Sequence, residues 1–133
     1  MPAEPRWVSL DEVIGLNREE VAKTGEQHLL LDRSTLETAV RRPWNVWAYF
    51  MDWDYATLAT SLLVAVAGAK AFAAGNERTA YRAAVALLGA NGIAVDLGAN
   101  RQRAEEQLFA YFRGRLSQAG VREWFQTWMI NPR

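Results

Sequence analysis

The chain has 133 residues and a mass of 15.0 kDa; half of its residues are hydrophobic and Lys+Arg equals Asp+Glu at 15 each, the profile of one globular domain. A net charge of zero excludes a strong general attraction to nucleic acid or anionic lipid, and the absence of cysteine excludes disulfides and thiolate zinc sites. Residues 1–6 lack the basic-then-apolar order of a signal peptide, and the longest nearly uncharged stretch falls short of the roughly 20 residues a bilayer needs, so the expectation is a cytoplasmic protein with no membrane contact.

The predicted elements are helical almost throughout. After a tail, residues 1–8, Ser9-Leu10-Asp11-Glu12 is a capping box that opens a helix with Leu10, Val13, Ile14 and Val21 on one face, stopping near Gly25. Leu29-Leu30-Leu31 reads as a short extended piece or an anchored loop, and His28, the only histidine, as a loop residue unable to build a metal site alone. A second capping box, Ser34-Thr35-Leu36-Glu37, opens a short helix through Val40 that Pro43 ends. Residues 44–53 are aromatic without a clear period. Asp54 then caps a buried helix over residues 55–70, with Asp52 in the turn before it. A turn at Gly75-Asn76 leads into a helix that ends at Asn91-Gly92. Residues 93–96 form an extended link, Asn100 caps a helix carrying Ala104, Leu108, Phe109 and Phe112, and Ser117 starts a last helix with Val121, Trp124, Phe125 and Trp128 inward.

Residues 70–78, Lys-Ala-Phe-Ala-Ala-Gly-Asn-Glu-Arg, lie between the two most apolar helices. A tight turn that opens a helix exposes free N–H groups at the positive end of the helix dipole, and Arg78 adds a guanidinium fork. Those features suit an anion.

The same residues resemble the motif His-x-Phe-x-[Asp/Glu]-Gly-Asn-[Gly/Lys]-Arg of the Fic/Doc (Fido) family. Three further segments follow the resemblance in order: Leu36-Glu37-Thr38-Ala39-Val40-Arg41-Arg42-Pro43, which is similar to the family's Leu-Glu-Ser-Ala-Val-x-Arg-Pro, then residues 50–63, and residues 84–95 with Asn91-Gly92. Together they make the chain similar to a Doc-like (death-on-curing) member from Leu10 to about Trp128.

The resemblance implies a compact all-α bundle of about six helices with a short β flap, forming one domain over residues 9–130. It implies a setting in bacterial toxin–antitoxin pairs and a transferase chemistry that moves AMP or phosphate from a nucleotide to a hydroxyl of a target protein. In that chemistry a His is the general base, a carboxylate holds Mg²⁺, and Gly, Asn and Arg cradle the phosphates. Here Lys70 stands at the base position, and an ammonium has no lone pair with which to take a proton. Ala74 stands at the metal position and offers no ligand atom, so no metal site is expected. Glu77 brings a carboxylate toward the phosphates, where two like charges about 4 Å apart repel by roughly 4 kcal/mol at an effective dielectric near 20.

Phe72 remains as the anchor of the turn, and Gly75, Asn76, Glu77, Arg78 and Thr79 as the candidate anion- or nucleotide-binding set, with ATP as the implied ligand and Lys70 and Arg78 as the candidate catalytic pair. The resemblance places Trp47, Tyr49 and Phe50 in a flap where a target or antitoxin-like segment docks. The residues alone allow Trp44, Trp47, Tyr49, Phe50 and Trp53 to cap the bundle together with Trp124 and Trp128 instead. The implied function is a catalytically degenerate domain that binds a protein or a phosphate ligand, with an active transferase using altered residues as the alternative.

Overall fold

Four of the six α-helices among the described residues begin at a short polar side chain that accepts one of the N–H groups the helix leaves free. The computed structural model describes residues 3–131, and its elements in chain order are α1 (Leu10–Thr24), α2 (Arg33–Tyr49), α3 (Tyr55–Ala69), α4 (Asn76–Ala90), β1 (Ala94–Val95), α5 (Arg101–Phe109), α6 (Gln118–Trp128) and β2 (Met129–Ile130). The Ser9–Glu12 box closes as expected, Glu12 N–H donating to Ser9 Oγ at 3.1 Å and Ser9 N–H to Glu12 Oε1 at 3.2 Å. Gly25 ends α1 in the left-handed conformation.

The fold is all-α, with helix α3 at its centre. Its Ala56, Leu58, Ala59, Leu62, Leu63 and Val66 are fully buried, and it packs against α2, α4 and α6, while α1 lies on α4. A helix apolar on nearly every side has to be enclosed on every side, which fixes the order of the bundle around it. The two short strands pair antiparallel, Ala94 opposite Ile130 and Val95 opposite Met129, and tie the chain after α4 to the end of α6. No helix among the described residues is long and apolar enough to cross a membrane.

Three local expectations change. Helix α2 does not stop at Pro43; it runs to Tyr49 with Pro43 buried inside it, and residues 44–49 of the aromatic segment are helical. The burial of Leu36, Ala39, Pro43 and Val46 on one face outweighs the lost hydrogen bond. Its N-cap is Asp32 rather than Ser34: the carboxylate accepts from Thr35 N–H at 3.1 Å, and the Ser34 hydroxyl donates to it as well. Asn100 precedes α5 without a side-chain cap bond. The described part of the tail, residues 3–8, is pinned to the body, since Arg6 N–H donates to Asn91 Oδ1 and Asn91 Nδ2 donates back to Arg6 O.

Asp54 joins two elements. It accepts from Ala56 N–H at 3.2 Å and from the Thr57 hydroxyl at 3.0 Å, and Arg122 of α6 reaches it at 2.9 Å. Replacing Asp54 by Ala is expected to cost about 1–2 kcal/mol in urea denaturation, whereas Asp54→Asn, which keeps the cap and loses only a half-exposed ion pair, costs less than half of that.

Candidate functional site

The turn between α3 and α4 is built by backbone constraints before any charge enters. Lys70 ends α3 with φ +47 and Gly75 precedes α4 with φ +75, both left-handed. At Gly75 a side chain would be strained by the left-handed backbone and crowded, an added Cβ sitting 3.2 Å from Val21 Cγ1 and 3.3 Å from Asn17 Nδ2. Asn76 closes the turn on itself: its Oδ1 accepts from Phe72 N–H at 3.0 Å and its Nδ2 donates to Phe72 O at 2.8 Å. Phe72 is buried, as expected of an anchor.

A second clasp comes from α1. Asn17 is fully buried and donates through Nδ2 to Ala74 O at 2.8 Å and to Thr79 Oγ1 at 3.1 Å. Its Oδ1 therefore faces His28 Nδ1 at 2.8 Å, and because Oδ1 only accepts, Nδ1 carries the proton. His28 also lies against the Phe72 ring. The loop histidine is thus a support of the turn, brought there by residues 29–31. Leu31 N–H donates to Ala71 O at 2.7 Å and Ala73 N–H to Leu29 O at 2.9 Å, so Leu30 and Phe72 form an antiparallel bridge.

On the α3 side of the turn is an open hollow of about 360 Å³ lined by Ala67, Lys70, Gly75, Asn76, Glu77 and Arg78. Five of the six residues expected at a site meet there; Thr79 does not, being buried beneath it on Asn17. Lys70 and Glu77 are exposed and engaged in no ion pair among the described residues. The N–H groups of Asn76, Glu77 and Arg78 find no acceptor among those residues.

Arg78 is held from behind. Its Nε donates to Glu20 of α1 and a terminal NH₂ to Glu105 of α5, each at 3.2 Å, and its guanidinium lies 5.8 Å from the Tyr81 ring centre and 5.3 Å from that of Phe109. The two carboxylates hold the guanidinium firmly charged against the cost of its partial burial. Glu20 is almost fully buried and also takes Lys23 at 2.6 Å and Arg82 at 3.5 Å. Burial pushes its carboxyl upward, and the bonds from Lys23 and Arg78 outweigh that, leaving it below its ordinary value. Burial, reinforced by Glu105, pushes the Tyr81 phenol up to about 12 and keeps it protonated.

The expected flap is elsewhere. Helices α2 and α3 run antiparallel, with Asp32 beside Ala71 and Tyr49 near Asp54, so Tyr49 and Phe50 lie at the far end of α3, about 22 Å from Lys70 for its 15 residues. Trp47 packs edge-on against Trp7. The segment along the motif turn is residues 29–31. Ala74 presents only a methyl group and a spent carbonyl, and among the described residues no three His, Asp or Glu side chains gather as a metal site. No protein-family model matches the chain, and no curated protein matches it.

Sequence reasoning missed Asn17, Glu20 and Glu105. The first carried a signal: Asn17 falls midway between Val13 and Val21 on the apolar stripe of α1, where a polar side chain needs buried partners. Glu20 shares that stripe, seven residues from Val13.

Two outcomes follow from these networks. A carboxyl held below its ordinary 4.5 stabilises the fold above that pH, and the contribution is lost as pH falls through the folded-state value. Glu20→Gln is expected to cost roughly 1–2 kcal/mol at pH 7, less than for a fully buried pair because its cationic partners are partly exposed, and the gap to the parent protein should narrow in thermal denaturation as pH falls below 4.5. His28→Ala strands the buried Asn17 Oδ1 and is expected to cost about 1–3 kcal/mol in chemical denaturation.

Proposed function

We propose that this chain is a Doc-like Fic domain of the bacterial toxin–antitoxin kind, catalytically degenerate and acting by binding protein rather than by transferring AMP or phosphate. One observation carries the reading: the Arg78 guanidinium, the group that would stabilise phosphoryl charge, is spent on Glu20 and Glu105. Around it the remaining chemistry is absent or occupied. Lys70 is not a base, Ala74 is not a metal ligand, and the Asn76 amide is committed to the Phe72 backbone.

The protein-binding part rests on the segment beside the hollow. Leu29 and Leu31 use their backbone groups on residues 71 and 73, which leaves those of Leu30 on the outer edge, and both flanking side chains are exposed. An extended peptide from a target or an antitoxin-like partner adds to such an edge as a further strand.

A second reading, an active transferase with altered residues, draws on the hollow itself. An unpaired Lys70 faces the free N–H groups at the start of α4, an arrangement that suits the phosphates of ATP, with Glu77 as base or Mg²⁺ ligand. The test is direct: incubate the protein with Mg²⁺, γ- and α-labelled ATP and cell lysate. The expected result is no labelled protein above that given by Arg78→Ala. Label that appears with the parent chain and vanishes in Arg78→Ala overturns the degenerate reading.

A further inference from the structure

Among the described residues, large exposed apolar side chains concentrate at the connection between α2 and α3. Tyr49 is 72% exposed, Phe50 and Met51 67% each, and Trp53 39%. Three of these four are aromatic, and aromatics, Met and Arg are what the centres of protein interfaces are made of.

The arginines are present as well. Arg41 lies 6.0 Å from the Trp44 ring centre and Arg42 5.7 Å from that of Phe50, which orients their guanidinium groups without neutralising them. Neither is in an ion pair among the described residues. Nearby carboxylates are engaged elsewhere: Glu37 with Arg33 at 3.4 Å, Asp54 with Arg122, and Asp52 with the Asp54 N–H.

Along the same helix pair, toward the C-terminal half of α3, lies a furrow of about 350 Å³ lined by Thr35, Thr38, Ala39 and Arg42 on one side and Ala65 and Ala69 on the other, with Arg42 between it and Phe50 of the tip. Positions 35, 38, 39, 42 and 49 fall on one stripe of α2, so Tyr49 lies in line with the furrow, two turns beyond Arg42. The stripe is about 21 Å long, four turns of helix. Its floor of Ala and Thr side chains lets another helix approach closely.

We infer that the furrow and the tip together form a docking site for an amphipathic helix of a partner protein, its apolar face on Ala39, Ala65 and Phe50 and its acidic flank on Arg41 and Arg42. Charge selects this occupant over a second copy, because a twofold contact presents the same patch from both sides and the carboxylates near it are already engaged. Shape selects it over a membrane, because a bilayer surface covers a convex tip and leaves a furrow empty. The inference does not use the hollow at Lys70 and stands whether or not that hollow transfers phosphate.

The test selects helical peptides from a displayed library on the full chain and measures the winners by fluorescence anisotropy. The expected winners carry Asp or Glu beside an apolar stripe, and their affinity falls at least tenfold with Arg42→Glu and with Ala65→Leu, which fills the furrow, while Arg103→Ala, at an exposed position on α5, leaves it unchanged. Thr38→Lys, at an exposed position, serves if Ala65→Leu does not fold by circular dichroism. Selection of no peptide, or of peptides indifferent to these changes, overturns the inference. So does binding of phosphatidylserine vesicles that Phe50→Ser abolishes in the absence of peptide binding, or a concentration-dependent dimer that Arg42→Glu leaves intact and the furrow-filling change removes.

Discussion

A carboxylate withdrawn from water has to recover its hydration energy from fixed charges, and Glu20 recovers it from Lys23, Arg78 and Arg82. This requirement links α1 to the first two turns of α4, and through the other arm of Arg78 it reaches Glu105 of α5. The position of Arg78 on α4 is thereby tied to α1 and α5. Tyr81 and Phe109 place their rings beside the guanidinium, so the side chain has both charge and packing reasons to stay. One buried acid thus ties α1 to α4 and, through Arg78, to α5.

The turn above this cluster is held from two sides by two asparagines with different jobs. Asn76 acts within the turn, using both ends of its amide on one residue's backbone. Asn17 acts from α1 and spans Ala74, Thr79 and His28. A turn fixed in this way is pre-organised, which lowers the entropic cost of whatever meets it. The polar groups that fix the turn are engaged with one another and with the backbone. The contrast is sharp with Lys70, which carries a charge into the hollow and has no internal partner.

Features that act over a few residues could be read directly from the chain. The Ser9 box, the Gly25 and Gly92 stops, the Asp54 and Ser117 caps and the buried helix α3 each depend on neighbours within one turn. What escaped reading depends on partners far along the chain. Pro43 is a helix breaker by local rule, yet the apolar stripe of α2 carries through it because Val46 also has a core to reach. His28 lies 44 residues before Phe72 in number, and only the pairing of residues 29–31 with 71–73 brings them together. The same pairing explains why the aromatic segment is not the cover of the turn: that role belongs to three leucines whose neighbours the chain order does not reveal. The hollow was legible as a helix entrance, but its neutralised arginine was not, since Glu20 and Glu105 stand 58 and 27 residues away from Arg78.

Helix α3 separates two surfaces with opposite electrostatic designs. At its C-terminal end the cation that matters, Arg78, is compensated internally, and the surface offers a rigid turn with an extended edge. At its N-terminal end Arg41 and Arg42 are left uncompensated beside side chains that are costly to keep in water. The fold spends carboxylates on Arg78, Arg82 and Arg122, and among the described residues none pairs with Arg41 or Arg42. The Arg78 guanidinium is neutralised within the fold, whereas among the described residues Arg41 and Arg42 face solvent without a carboxylate beside the exposed rings of Tyr49 and Phe50.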